Sequence, residues 1–515
     1  MDTLIRYGGA SYRASEDETI LQALLRQGAQ PAYSCGRGSC QVCMLKLVSG
    51  QVAASKTPFE QTGAHDHILP CLCRAEGEGE LAPADRDSLT VAAEIVEVRP
   101  LAADIAELFI APMQTLDTAP GQHVYLQRDA DSPARPYSVV SQPFEDFGFR
   151  IHVRALPGGA LSSWLVHEAR PGMQLRVRGP QGQMGYAPSM RQTPLLLLAT
   201  GVGAGALAGI ARAALADGHA AGIDFHHGGR HAADLYLHAE LSALARTYPD
   251  FRYHPCLSQA PVVGVAQGRI TLQALGEAAD LRQVQVFLCG HPAMVEDARY
   301  LAIRHGADRG RIQADPYVLA HDTAPRDARK LALVEPDPAL WAALEQGKRL
   351  TPILRDFYTR VFADPRLAPY FHGLTVEYVA GKQYAFLAQV FSGERSFFGL
   401  NPHNGHHWMV ISDELFDHRE ALFEQVLREH GLADALIQRW IALHEWFRAE
   451  IVKAAPKGRF VDGQMLPAPQ DSVERLDLDT VCDRCGSEIP AGSPSRYVQR
   501  LGELHCRQCA GLAAD

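Results

Sequence analysis

Basic residues are in deficit: 49 Lys and Arg face 59 Asp and Glu, a formal charge of -10 over 515 residues. A nucleic-acid-binding chain usually carries a basic face, so this balance argues against that class of partner. The start, "MDTLIRYGGASYRASEDETI", lacks the basic-then-apolar pattern of an export signal. Long charge-free runs are scarce. One, "PLLLLATGVGAGALAGI" from Pro194 to Ile210, is broken by glycines and reads as a buried strand, a turn and a helix, not a membrane span. A cytoplasmic location is therefore expected. Cysteine is sparse at 11 residues, and a reducing compartment excludes a disulfide framework.

What is present is grouped. Cysteines cluster at 35/40/43/71/73 and at 482/485/506/509, with Cys256 and Cys289 alone. Tight groups in a reducing compartment read as metal ligands. The length is too great for one hydrophobic core and suggests three or four domains.

Cys35, Cys40 and Cys43 are spaced C-x4-C-x2-C, the arrangement that holds a [2Fe-2S] cluster, and "ILPCLCRA" offers Cys71 or Cys73 as the fourth thiolate. Residues 1–85 resemble the plant-type ferredoxins. That resemblance implies a β-grasp (α+β) fold, places the fourth ligand at Cys71 in "ILPC", and leaves Cys73 spare.

Residues 88–188 alternate as short strands, which predicts an antiparallel β-barrel domain. "RPYS" (Arg135, Pro136, Tyr137, Ser138) and "GGALS" (Gly158 to Ser162) resemble the two flavin signatures of the ferredoxin–NADP reductase superfamily. An FAD site is implied. Arg135 suits a phosphate, Tyr137 the isoalloxazine face, and Ser138 the reactive nitrogen. Gly158, Gly159 and Ser162 suit the pyrophosphate at a helix start.

In residues 190–322, "LLLLATGVGAGALAGI" has the strand–glycine-loop–helix context of an α/β, Rossmann-like nicotinamide domain, through Thr200, Gly201 and Gly203. Ala206 stands where the superfamily has proline. The same resemblance puts Cys289 beside the nicotinamide, with Gly290 in a C-G-x-x-x-M pattern. NADH is favoured over NADPH, because no Arg/Lys cluster suits a 2'-phosphate. The order iron–sulfur, flavin, nicotinamide resembles the reductases that serve aromatic and multicomponent oxygenases.

Residues 333–458 change to helical period. "DFYTRVFADPRLAPYFHG", "GKQYAFLAQVFSG" and "GHHWMVISDELF" resemble the truncated haemoglobins, implying an all-α globin with haem b. The resemblance puts Phe371 against the haem, Tyr358 and Gln383 on the oxygen-binding side, and His406 on the iron, with His403 and His407 as competitors. At 478–515, "CDRC" and "CRQC" (Cys482, Cys485, Cys506, Cys509) have the spacing of a four-cysteine Zn2+ site in a small zinc-ribbon-like tail, with rubredoxin-like iron as the second choice.

Two functions are expected. In the first, NAD(P)H reduces FAD, electrons pass through the cluster to the globin haem, and the protein is an O2-dependent nitric oxide dioxygenase like the flavohaemoglobins. In the second, the chain is an electron-transfer reductase for a separate oxygenase component, the globin senses O2 or NO, and the zinc tail docks a partner.

Overall fold

The computed structural model describes all residues except 1–2, 16–17, 28, 30, 32–42, 55–65, 85–89, 115, 142–146, 260, 277–279, 318–324, 372, 395–396, 398, 454–456, 462–463, 467–471, 484, 499–502 and 513–515. The chain forms two compact units, Met1–Asp322 with Leu427–Trp446, and Thr323–Val426 with Phe447–Asp515.

The first unit begins with β1 (Thr3–Tyr7), β2 (Ala10–Ala14), α1 (Ile20–Arg26), β3 (Leu45–Ser49), β4 (Val52–Ala54), β5 (His67–Ile68), β6 (Cys73–Ala75) and β7 (Gly79–Pro83). Five strands form one sheet, ordered β2-β1-β7-β3-β5, while β4 pairs with β6. α1 starts at Thr19, which closes a reciprocal cap with Gln22: the Gln22 N–H donates to Thr19 Oγ1 and the Thr19 N–H to Gln22 Oε1. Its Ile20, Ala23 and Leu24 pack with Ile5, Leu45 and Leu81.

β8 (Val91–Ala102), β9 (Ile105–Pro112), β10 (His123–Gln127), β11 (Arg135–Ser138), β12 (Phe149–Arg154) and β13 (Gln174–Gln181) form an antiparallel sheet ordered β11-β10-β13-β8-β9-β12. An antiparallel bridge between Val139 and Ile151 joins the region after β11 to β12. α2 (Ala160–His167) lies against this core through Trp164 and Leu165.

β14 (Leu195–Thr200), α3 (Gly203–Ala216), β15 (Ile223–Gly229), α4 (His238–Thr247), β16 (Phe251–Leu257), β17 (Ala266–Gln267), α5 (Ile270–Leu275), β18 (Gln285–Gly290), α6 (Pro292–Arg304) and β19 (Ile312–Pro316) follow. The strands form a wholly parallel sheet ordered β17-β16-β15-β14-β18-β19. β18 is buried at every position and β14 at all but Thr200. Continuous apolar runs of this kind are what a parallel sheet covered on both faces demands.

The second unit is helical first: α7 (Asp327–Leu333), α8 (Pro338–Ala343), α9 (Leu350–Ala363), α10 (Val376–Ser392), α11 (Pro402–His406) and α12 (Asp413–Glu429). α9 buries Leu350, Ile353, Leu354, Phe357 and Val361, the stripe expected of a helix with one apolar face. α13 (Asp434–Trp446) counts with the first unit and packs on α6; its buried Glu445 takes the Arg299 Nε at 3.0 Å. α14 (Arg448–Ile451) leads to β20 (Phe460–Val461), β21 (Gln464–Met465), β22 (Ser472–Arg475), β23 (Thr480–Val481), β24 (Glu488–Ile489), β25 (Pro494–Val498) and β26 (Glu503–His505). β22-β25-β26 form a small sheet, beside the pairs β20–β21 and β23–β24. No helix among the described residues is long and apolar enough to cross a membrane.

Candidate functional site

The first candidate centre lies where the segments just before β3 and β6 meet. Cys43 and Cys71 are buried, and their sulfurs lie 3.3 Å apart. Two converging thiols without a disulfide suit neighbouring ligands of one metal centre. Cys73 points instead into the core with Ile5, Leu24 and Leu45. Cys35 and Cys40 fall outside the described residues.

The second centre spans the flavin sheet and the parallel sheet. β11 is an edge strand paired to β10, with Val124 opposite Tyr137 and His123 opposite Ser138. Arg135 and Pro136 are exposed; Tyr137 is half-buried and burial pushes its hydroxyl pKa up. Gly158 and Gly159 precede α2, whose first turn receives no side-chain cap. Those uncapped N–H groups are the donors a pyrophosphate needs, so the residues fit the group. Ser162 stays local, its Oγ donating to the Gly159 carbonyl and accepting the Leu156 N–H.

β14 and β18 are adjacent, with Ala199 opposite Cys289, so Thr200, Gly201 and Gly203 meet Cys289 and Gly290 at one sheet end. The approach is too close for side chains. A Cβ on Gly203 would fall 2.6 Å from the Cys289 carbonyl oxygen, and one on Gly290, with φ of +128°, 2.4 Å from the Thr200 carbonyl oxygen. Thr200 Oγ1 accepts the His291 N–H at 3.0 Å. Ligands of open parallel sheets bind at such carboxyl ends.

The two sheets are joined by a directed chain of hydrogen bonds. The Cys289 thiol donates to the Tyr317 hydroxyl at 3.3 Å, Tyr317 to Ser138 Oγ at 3.0 Å, and Ser138 to Asp315 Oδ2 at 3.1 Å. Burial pushes the Asp315 carboxyl pKa up, opposed by the nearby His123 and the Ser138 bond; burial also pushes Cys289 up. Sequence reasoning missed Asp315 and Tyr317 as site residues. The signal available was "ADPY" closing the last strand, where an acid and an aromatic stand together at a strand end.

The third centre is in the second unit. Tyr358 on α9 is buried, its hydroxyl reaches Gln383 Oε1 on α10 at 3.5 Å, and its ring lies 5.9 Å from that of Phe371. Arg419 on α12, which sequence reasoning also missed, hydrogen-bonds Tyr358, pairs with buried Glu420, and lies 4.7 Å above the Phe357 ring. Burial pushes the Tyr358 hydroxyl up, against the Arg419 charge. Four polar side chains, Tyr358, Gln383, Arg419 and Glu420, thus share a surround that includes the Phe357 and Phe371 rings.

The histidine competitors separate by their hydrogen bonds. His406 Nδ1 donates to the Pro402 carbonyl at 2.8 Å. A carbonyl only accepts, so the hydrogen is on Nδ1 and Nε2 keeps its lone pair for a metal. Buried His403 gives its Nε2 to the Gly458 carbonyl at 3.1 Å, which removes that nitrogen from ligation. His407 repeats the His406 pattern through Asn404. Of these two, His406 is the more strongly desolvated, its pKa pushed down to about 4 by burial, yet it retains accessible surface. A desolvated ring whose Nε2 keeps its lone pair has the chemistry a haem ligand needs.

The fourth centre is the tail. Sulfurs of Cys482, Cys485, Cys506 and Cys509 all lie within 4.8 Å of one another, and among the described residues no other such group of His, Cys, Asp or Glu converges. Metal–sulfur bonds of about 2.3 Å in a tetrahedron set sulfur–sulfur edges of about 3.8 Å. The Cys485–Cys506 separation is 3.7 Å. The Cys506 N–H also donates to Cys482 Sγ at 3.2 Å, as bonds to a thiolate would require.

Comparison with known proteins agrees with the order of the first three centres. Family models match for a 2Fe-2S iron–sulfur cluster binding domain at residues 6–76, an oxidoreductase FAD-binding domain at 94–186, an oxidoreductase NAD-binding domain at 197–300, and a bacterial-like globin at 340–452. The reductase subunit of an aromatic O-demethylase from Amycolatopsis sp. is 31% identical over 309 residues, which cover 58% of this chain and 92% of that protein. The ferredoxin–NAD(P)(+) reductase component of the naphthalene 1,2-dioxygenase/salicylate 5-hydroxylase systems from Ralstonia sp. is 28% identical over 313 residues, covering 59% and 94%. The crystal structure of the Amycolatopsis cytochrome P450 reductase GcoB has a TM-score of 0.44 at 28% identity, covering 61% of this chain and 98% of that one.

Proposed function

The chain belongs to the family of NAD(P)H-dependent iron–sulfur flavoprotein reductases that includes the Amycolatopsis aromatic O-demethylase reductase subunit, and on that premise we propose that it supplies electrons from NADH to a separate oxygenase component while its globin responds to O2 or NO. Relatives named as the reductase subunit of an aromatic O-demethylase and as the reductase component of naphthalene dioxygenase/salicylate hydroxylase systems support this reading. The observation that carries it is the hydrogen-bonded chain from Cys289 through Tyr317 and Ser138 to Asp315, which ties the nicotinamide strand end to the flavin strand. When bound, FAD accepts a hydride and releases single electrons, which the [2Fe-2S] cluster carries onward.

The residues have these proposed roles. Arg135 and the α2 N-terminus hold the flavin's phosphates, and Tyr137 covers its ring. Ser138 hands a proton to or from the Asp315 carboxylate, and Cys289 with Gly290 shapes the nicotinamide slot. Cys71, with Cys35, Cys40 and Cys43, holds the cluster. In the globin, Phe371 lies against the haem, His406 ligates it, and Tyr358 with Gln383 holds the gas ligand. Cys482, Cys485, Cys506 and Cys509 hold Zn2+ in a closed shell, which suits a structural or docking role.

A second reading makes the chain's own haem the acceptor and its reaction the O2-dependent conversion of nitric oxide to nitrate. The Tyr358–Gln383–Arg419 group favours it, because buried donors stabilise developing negative charge. Anaerobic rapid mixing of the full chain with NADH tests the choice. The reductase reading expects flavin and cluster to bleach at the turnover rate with an external one-electron acceptor, and haem bands to lag. Haem reduction at that same rate would transfer the conclusion to the second reading.

A further inference from the structure

The helix that carries His406 is held by residues outside the globin match. α11 has five residues, and its N-cap position, Asn401, makes no side-chain cap. The missing cap comes from 76 residues earlier: the His403 N–H donates to Oδ2 of buried Asp327, on α7, at 2.7 Å. A carboxylate there makes a charge-assisted bond and opposes the helix dipole favourably. On the other side runs the chain beyond α14. The Lys453 N–H donates to the Ile411 carbonyl at 2.9 Å, and the Lys457 N–H to the His407 carbonyl at 2.8 Å. His403 Nε2 donates to the Gly458 carbonyl. Asn404 then closes a two-way pair with Phe460, Nδ2 donating to the carbonyl and Oδ1 accepting the N–H, both at 2.7 Å. The globin match covers 340–452. Asp327 precedes it, and Lys453, Lys457, Gly458 and Phe460 follow it.

We propose that Asp327 and the segment after the globin form a clasp that fixes α11, making Asp327 and Asn404 positioning residues for the haem ligand His406. The proposal rests on reading His406 as that ligand. His406 Nδ1 is bound to the Pro402 carbonyl inside α11, so the ring's rotation and its basicity follow the placement of α11. Asn404, two residues before His406, and His403, three before, are the points the clasp grips. Six hydrogen bonds, counting Asp327–His403, two backbone bonds, His403–Gly458 and the two of Asn404, act on a stretch of ten residues that has little regular structure of its own. The segment continues through β20 into the four-cysteine tail, so the clasp also gives the tail a covalent path to the haem side of the unit.

The test uses the full haem-loaded chain and two readouts: the ferrous iron–histidine stretching band in resonance Raman, and haem transfer to excess apomyoglobin. Asn404→Ala and Asp327→Asn are expected to shift or broaden the band and to speed haem loss about tenfold or more, as loss of outer partners does at metal sites. Asn401→Ala, which removes no cap, is expected to leave both unchanged. An unshifted band with unchanged haem loss in both clasp variants overturns the proposal. His406→Ala separates the premise: the band should vanish, and if it persists the ligand assignment itself is wrong. Should Asn404→Ala fail to fold, Asn404→Asp keeps the acceptor, loses the donor, and is expected to give the same band shift at smaller size.

Discussion

In the reductase region the reactive side chains hang from strand ends, whereas in the globin region they project from helix faces. Ser138 ends β11, Cys289 lies one residue from the end of β18, and Asp315 one from the end of β19; the register of β18 on β19 sets Cys289 opposite Asp315, and side-chain hydrogen bonds bring in Ser138 from the other sheet. Tyr358, Gln383 and Arg419 come from α9, α10 and α12, and His406 needs bonds from Asp327 and from the chain beyond residue 452 to hold its short helix. Register fixes a site through the backbone ladder. Helix faces fix one through side-chain packing, so the globin centre is expected to tolerate perturbation less.

The largest effect expected is at the cluster. Cys71→Ser should abolish transfer to one-electron acceptors while NADH still bleaches the flavin, measured by anaerobic absorbance with and without cytochrome c as acceptor. Cytochrome c reduction surviving at the parent rate would place the fourth ligand elsewhere. Next, Asp315→Ala should slow proton-coupled flavin turnover roughly a hundredfold, the usual scale for a lost acid–base group, with little change in NADH affinity. A change confined to KM would make Asp315 a binding residue instead.

A stability difference sharpens the contrast between the regions. Glu107 on β9 is buried and bonds His152 at 3.0 Å and Arg99 at 2.9 Å. Burial alone would raise its carboxyl, but these partners hold it down to about 2. A depressed acid stabilises the fold above its unfolded value near 4.5 and loses that contribution as pH falls toward 2. Glu107→Gln should therefore cost about 3 kcal/mol near neutrality, as breaking a buried pair does. The deficit should shrink as pH falls through that window, as followed by thermal melts. A pH-independent deficit would mean that packing, not charge, is lost.

Stripping the tail with a strong chelator should release one metal per chain and loosen β22–β26 while NADH-driven flavin reduction stays unchanged. Equal loss of flavin reduction would remove the distinction between the two regions. The smallest effect on electron transfer belongs to Cys73→Ser, expected to keep the cluster's absorption while lowering stability by about 1–3 kcal/mol, since it puts a hydroxyl into an apolar core.

Much of this was legible in the sequence because strand-end motifs are local. "RPYS", the "GVGAG" loop and "LCG" each carry their residues within a few positions, and each lies where a strand meets a turn. The partner set was not legible. Ser138 and Asp315 are 177 residues apart, and no spacing rule connects them. Arg419 reads as an ordinary helix-surface cation in "FDHREALFEQV" until α9 brings Tyr358 to it. The competition between Cys71 and Cys73 turns on which thiol faces Cys43, and that among His403, His406 and His407 on which ring nitrogen the backbone occupies. Both are facts of three-dimensional packing.

Freeze-quench electron paramagnetic resonance of the anaerobic full chain mixed with NADH follows the electrons from flavin to cluster. A reduced [2Fe-2S] signal is expected to grow in as the flavin passes on its electrons, no slower than steady-state turnover. A flavin that bleaches fully while the cluster stays silent over many turnovers would contradict that route.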